Sequence, residues 1–277
     1  MTLHRALLAG ERALQRARTA VSGFRPLRPD ALETEPRVLL SGFGPFPNTP
    51  RNATEQIVRA LGVELRAGRV PGFAAGRGRV RLPSGRSALV SAMVLPVVWD
   101  AAAMLVAKEA RALRPKVILM SGVASPVQPL MLERGASRAR LAARDAWGVR
   151  HARRVPFARP RPLPLRFDVA EEAGRLALAR EVEGTPTLGE VMLGVAAGAP
   201  RADNAYVCNA TAHGVVTLLG RSTRMLRSRA APEGVVAPSA RLGRVDCGFL
   251  HWPRDLRQEH IAGSARILVA MIDALLA

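Results

Sequence analysis

Three segments of this 277-residue chain carry residue types suited to acyl-transfer chemistry. In AYVCNATAHGVVTLLG, Cys208 and Asn209 open an apolar, helix-like run. A cysteine at a helix N-terminus sits at the positive end of the dipole, which favours thiolate over thiol and so activates a nucleophile. In VDCGFLHWPRD, His251 follows an apolar strand pattern and precedes Trp252-Pro253, which places it at a strand-to-loop turn. An imidazole there can act as base to a thiol and as acid to a departing amine. In LMLERGASR, Glu133 lies eleven residues past Gly122, which ends another apolar run. A carboxylate there can orient a histidine ring and stabilise its cation.

Each residue also has a plainer role open to it. An isolated cysteine is often a small buried apolar residue, a lone histidine is often structural, and a Glu-Arg pair opening a helix serves capping and solvation. Cys247, on the strand four residues before His251, reads as core. A zinc site is a further alternative, since Cys208, His213, Cys247 and His251 offer four N/S ligands. Against it, Cys208 and His213 point about 140° apart on one helix.

The elements that must hold these residues alternate in type. RVLLSGF (37–43) reads as a buried strand, followed by a Pro-punctuated loop and a helix from Ala53 to about Leu61. ALVSAMVLPVV (88–98) reads as a second strand, AAAMLVAKEARAL (101–113) as a helix and KVILMSGVA (116–124) as a central strand apolar on both faces. Helical patterns recur near 169–182 and 208–219, and a strand near 244–250 precedes a terminal helix marked by Ile261, Ala265, Leu268, Ile272 and Leu275. Such alternation predicts a single three-layer α/β/α domain with a mostly parallel central sheet, its ligands bound beyond the C-terminal strand ends.

Charge is the unusual feature of the composition. There are 41 basic against 22 acidic residues, a formal net charge of +19, and all but Lys108 and Lys116 of the basic residues are arginines. That bias fits a GC-rich coding sequence as well as it fits a ligand. Residues 1–28, 66–86, 138–166 and 221–244 hold the excess, with nine arginines against Asp145 alone in 138–166. These segments are rich in Gly and Pro and read as loops or long hairpins, while the remainder is slightly acidic. Residues 1–36 read as a basic N-terminal extension, helical or flexible, and 37–277 as the main domain. Two cysteines do not make a disulfide framework, and in so long a chain they indicate a reducing, cytoplasmic setting. The longest apolar region, Ala88 to Val106, is broken by Ser91, Pro96 and Asp100, so no membrane span is expected. The arginine loops leave nucleic acid or another polyanion open as a partner, although they carry few aromatics and no nucleic-acid motif.

Taken together, four ordered motifs resemble the pyroglutamyl peptidase I (pyrrolidone-carboxylate peptidase) family of cysteine peptidases. RVLLSGFGPFPNTPRN (37–52) is similar to the family's strand, G-F-x-P-F and later Asn, here Asn52. GVASPVQPLMLERGA (122–136) falls in register with its Glu signature, AYVCN (205–209) with its Cys motif and GFLHWP (248–253) with its His motif. The resemblance implies a catalytic Cys208-His251-Glu133 triad that cleaves the amide after an N-terminal pyroglutamyl residue, with no metal or organic cofactor. It implies a substrate pocket lined by Phe43, Phe46, Tyr206 and Val207, against plain core as the alternative for the two Phe. It also implies a peptide or small-molecule substrate with a blocked N-terminus, and homo-oligomers, which the basic insertions could equally block. The chain departs from the family at Val123, Ser125 and Pro126, where a polar Gln and glycines are usual, and at Arg138 in place of Asn. Arg144 is a candidate for the family's downstream arginine. These changes cluster around substrate recognition, so another small amide is the alternative substrate and an impaired binding protein the alternative function.

Overall fold

The run RVLLSGF forms β1 (Arg37–Phe43), buried from Val38 onward, at the heart of an eight-stranded sheet. A computed structural model describes residues 15–26, 34–46, 49–124, 126–137, 143–150, 161–200, 206–220 and 245–277 of the chain. A helix α1, described over 15–22, precedes β1. After β1 come α2 (Ala53–Arg59), β2 (Arg66–Ala67), β3 (Ala74–Arg81), β4 (Ser87–Leu95), α3 (Ala101–Leu113) and β5 (Val117–Val123). Next are β6 (Gln128–Glu133), β7 (Gly135–Ala136), β8 (Arg161–Pro162), α4 (Phe167–Gly184), α5 (Pro186–Val191) and β9 (Met192–Gly198). The chain closes with α6 (Val207–Gly220), β10 (Asp246–Trp252) and α7 (Gln258–Leu276).

The sheet runs β2-β3-β4-β1-β5-β10-β6-β9. Pairs β4–β1, β1–β5, β5–β10 and β6–β9 are parallel, whereas β2–β3, β3–β4 and β10–β6 are antiparallel. This is the expected three-layer α/β architecture with a mostly parallel sheet. One face of the strands, including Val38, Leu40, Leu119, Leu132 and Leu250, packs with residues of α2, α4 and α7. The other, including Leu39, Met93, Ile118, Cys247 and Phe249, packs with residues of α1, α3 and α6. Side chains of a strand alternate between faces, so β10 sends Cys247, Phe249 and His251 to the α3/α6 side.

Several boundaries differ from the sequence expectation for local reasons. The second strand stops at Leu95 rather than continuing to Val98, because Pro96 has no N–H to donate to the ladder. The helix expected to reach Leu61 ends at Arg59, and Gly62 turns the chain at φ 74°. The Glu133-Arg134 pair does not open a helix; Glu133 is the last residue of β6. The 66–86 segment takes the hairpin form of that expectation, as antiparallel β2, β3 and the turn into β4. Its Arg77 reaches into the protein, where its guanidinium meets Glu109 of α3 at 2.7 Å and Ser91 of β4 donates to the same carboxylate oxygen at 2.8 Å. The described part of α1 packs on the domain through buried Ala17 and Val21, and Lys108 donates to the Val21 carbonyl. The 221–244 segment, Ser125 and Arg138 lie outside the described residues. Among those described, no helix is long and apolar enough to cross a membrane.

Candidate active site

Parallel pairing sets His251 of β10 directly beside Gly122 of β5. On its other side β10 pairs antiparallel with β6, His251 against Met131 and Phe249 against Glu133. Glu133 is therefore the diagonal neighbour of His251 on the same face, within reach of a long side chain. The contact is made: His251 Nδ1 lies 2.8 Å from Glu133 Oε1, with both side chains more than 90% buried. An ionised carboxylate only accepts, so Nδ1–H donates and Nε2 is left for Cys208.

Cys208 is the second residue of α6, at the helix end where backbone N–H groups lack intrahelical partners. It is half-buried, and its thiol stands close enough to His251 to influence the charge of the imidazole. Burial alone would depress the imidazole's affinity for a proton. The interactions with Cys208 and Glu133, with their negative charge, outweigh that cost and push the His251 pKa up to about 9. The three residues that sequence reasoning singled out thus come together, Glu133 hydrogen-bonded to His251 and the Cys208 thiol acting on the same imidazole.

The thiol's position depends on a missing side chain. A Cβ on Gly122 would lie 2.8 Å from Cys208 Sγ and 3.2 Å from Cζ of Phe249. Asn209, the next residue of α6, fixes the helix from below. Its carboxamide donates to the Ser137 carbonyl at 2.9 Å and accepts from the Ser137 N–H at 2.9 Å, and a further contact reaches the Ser137 hydroxyl at 3.3 Å. Ser137 follows β7 and Glu133 by four residues, so this amide ties the cysteine helix to the glutamate segment.

The expected pocket residues separate into two groups. Phe46 and Tyr206 are half-buried and face each other with ring centroids 6.2 Å apart. Tyr206 also meets Trp99 edge-on at 5.3 Å. Phe43 and Val207 are buried in the layer between sheet and helices, Val207 completely. The lip after β1 is held by Asn52, whose side chain caps α2 through the Thr54 N–H and donates to the Gly44 carbonyl. Thr54 Oγ1 in turn accepts from the Phe43 N–H at 2.9 Å. Arg144 does not join the triad by any hydrogen bond among the described residues; its guanidinium bonds the Gly148 carbonyl.

Two features of the site went unread in the sequence. Gly122 was seen as the end of a strand, though a glycine there is also the signal of a close approach. Asn209 was noted only for its place beside Cys208. No group of three or more His, Cys, Asp or Glu that could hold a metal ion occurs among the described residues, so the four-ligand zinc alternative lacks its cluster. Cys247 sits fully buried in mid-strand, where burial pushes its thiol pKa up to about 12 and the Asp246 charge adds to the effect.

No protein-family model and no curated protein matches the chain. Solved structures do. Pyroglutamyl peptidase I from Bacillus amyloliquefaciens is similar over 88% of this chain and 98% of its own, with a TM-score of 0.51 and 18% sequence identity. A variant pyrrolidone carboxyl peptidase from the hyperthermophile Pyrococcus furiosus covers 87% of this chain and 98% of its own, also at 0.51 and 18%. The fold of this chain is the one those peptidases share.

Proposed function

We propose that this protein is a cysteine exopeptidase that hydrolyses the amide bond following an N-terminal pyroglutamyl residue. The observation that carries this is the buried His251–Glu133 hydrogen bond with the Cys208 thiol, at the start of α6, acting on the same imidazole. The likeness in fold to pyroglutamyl peptidases supports the choice of substrate.

Each step follows from a group in place. The Cys208 thiolate adds to the carbonyl carbon of the scissile amide, and N–H groups of the first turn of α6 face the developing oxyanion. His251, charged at neutral pH, delivers its proton to the departing amine as the C–N bond breaks, leaving a thioester on Cys208. The neutral imidazole then takes a proton from water, whose oxygen attacks the thioester. Pyroglutamate leaves and the thiolate returns, with the proton back on His251. Glu133 keeps the ring oriented and its cation stabilised throughout, as a positioning residue. Phe46 and Tyr206 offer flat apolar surface to an uncharged lactam, and the buried Phe43 and Val207 back that wall. A nucleophilic thiol of this kind suits a reducing compartment such as the cytoplasm.

Release of a fluorescent amine from a pyroglutamyl amide tests this directly. Turnover that disappears in Cys208→Ala and on thiol alkylation is the expected result. A folded, reduced protein that releases no amine would overturn the proposal. A second reading keeps the triad but assigns another small blocked amide, and the 122–127 segment favours it. Val123 is half-buried where the family carries a polar Gln, and Val127 is 48% exposed. A panel of acetyl-, formyl- and pyroglutamyl-amides separates the two.

A further inference from the structure

One of the arginine-rich stretches comes up against Tyr206. Residues 143–150 form a tight turn in which Arg144 and Arg150 bridge. At its centre the buried Asp145 carboxylate accepts the N–H groups of Trp99 at 3.2 Å and of Trp147 and Val149 at 2.9 Å each. The Ala146 N–H donates to the Val97 carbonyl. The turn is therefore fastened to the loop between β4 and α3. The Tyr206 hydroxyl donates to the Arg144 carbonyl at 2.7 Å, which puts the turn against a residue two positions from Cys208. Burial raises the Asp145 pKa, against which its three backbone hydrogen bonds pull.

The charge here is one-sided. Asp145 is the only acid among nine arginines in 138–166, and its oxygens are engaged by backbone. Arg144 and Arg150 are exposed, and neither is ion-paired among the described residues. Phe43, Phe46, Tyr206 and Val207 bring no charge to the pocket, so selection by charge has to come from its rim. Clustered cations of this kind raise the local concentration and on-rate of anionic ligands, an effect that salt screens.

We propose that the Arg144 and Arg150 rim beside Tyr206 makes this enzyme selective for acidic peptides, those with Asp or Glu soon after the blocked N-terminal residue. Because this selectivity presupposes hydrolysis at Cys208, the test reads a ratio between two substrates of the same enzyme. Full-length protein is given pyroglutamyl hexapeptides carrying either Asp and Glu or Ser and Gln after the first residue, at low and high salt. An acidic-to-neutral ratio in kcat/KM of about 10 or more at low salt, collapsing at high salt, is expected. It should fall toward one in Arg144→Gln/Arg150→Gln. A ratio near one in the parent enzyme, or one that salt does not move, overturns the rim while cleavage of the neutral peptide leaves the hydrolytic reading standing. No cleavage of either peptide, nor of a pyroglutamyl amide, removes both. A single-stranded oligonucleotide that inhibits well below the acidic peptide's KM overturns the peptide assignment in favour of nucleic acid. If the double variant does not fold, the salt dependence of the parent enzyme decides.

Discussion

Cys208 Sγ occupies the space that a side chain on Gly122 would need, 2.8 Å from where its Cβ would stand. Gly122 is also the strand partner of His251, so one absent side chain lets the thiol settle over the sheet within reach of the imidazole. Gly122→Ala is expected to displace the thiol while leaving the sheet paired. A shift of about 1 Å at a reacting atom costs on the order of 100-fold in rate. Turnover of a pyroglutamyl amide should fall by about that factor with an unchanged circular dichroism spectrum. Turnover equal to the parent's would show that the close approach is irrelevant.

The raised His251 pKa sets a pH window. The proposed acid step needs the imidazolium, so kcat/KM should fall as pH rises through about 9. Glu133→Gln removes one hydrogen-bonded charge and should move that limb toward neutrality by one pH unit or more, alongside a loss of rate. Stability follows the same sign. A folded pKa near 9 against about 6.5 unfolded means a contribution fully present below pH 6.5 and lost as pH rises through 9. Denaturant titrations across that range, parent against variant, read it out. An alkaline limb that stays put in Glu133→Gln would refute the coupling.

Asn209 makes a prediction of a different kind. Replacing it with Ala strips both partners from the buried Ser137 N–H and carbonyl. Each buried hydrogen bond of this kind contributes about 0.5–1.5 kcal/mol, so a loss of roughly 1–3 kcal/mol in urea unfolding is expected. The rate of Cys208 alkylation should change with it, because the amide ties the cysteine helix to the segment carrying Glu133. Asn209→Asp keeps the acceptor and loses the donor, and is expected to fall between parent and Ala.

Much of the scaffold is legible in residue patterns, and the exceptions share a cause. β1, β5 and α7 announce themselves through unbroken apolar runs or strict helical spacing, because they are buried on wide faces. QPLMLE and MLGVAAG do not. They form the antiparallel β6 and the edge strand β9, short and poor in β-branched residues, and only their neighbours define them. Missing β6 turns Glu133 into a helix-opening residue, when its place diagonal to His251 follows entirely from that strand's direction. The types and order of Cys208, His251 and Glu133 could be read locally; their meeting point depends on β6, β10 and the start of α6 brought together from distant parts of the chain.

Arg77 illustrates the same limit for charge. By composition it is one of many surface arginines, yet it is nearly buried against Glu109. Removing one member of a buried ion pair leaves the other uncompensated, so Arg77→Ala is expected to cost about 3–5 kcal/mol. The double variant Arg77→Leu/Glu109→Leu should recover much of that loss. Thermal melts of the three proteins check both statements, and a single variant that melts with the parent would contradict them.

The two-rung pairing of β7 with β8 has a consequence for how this protein can change. Gly135 pairs with Pro162 and Ala136 with Arg161, so the chain departs and returns at adjoining points. Changes of sequence between those rungs that keep Ser137 on Asn209 and the Asp145 turn in place need not drag on Glu133 upstream or on α4 downstream. The arginines outside those anchors are in that sense exchangeable, so selectivity can change there while the His251–Glu133 pair beneath stays still.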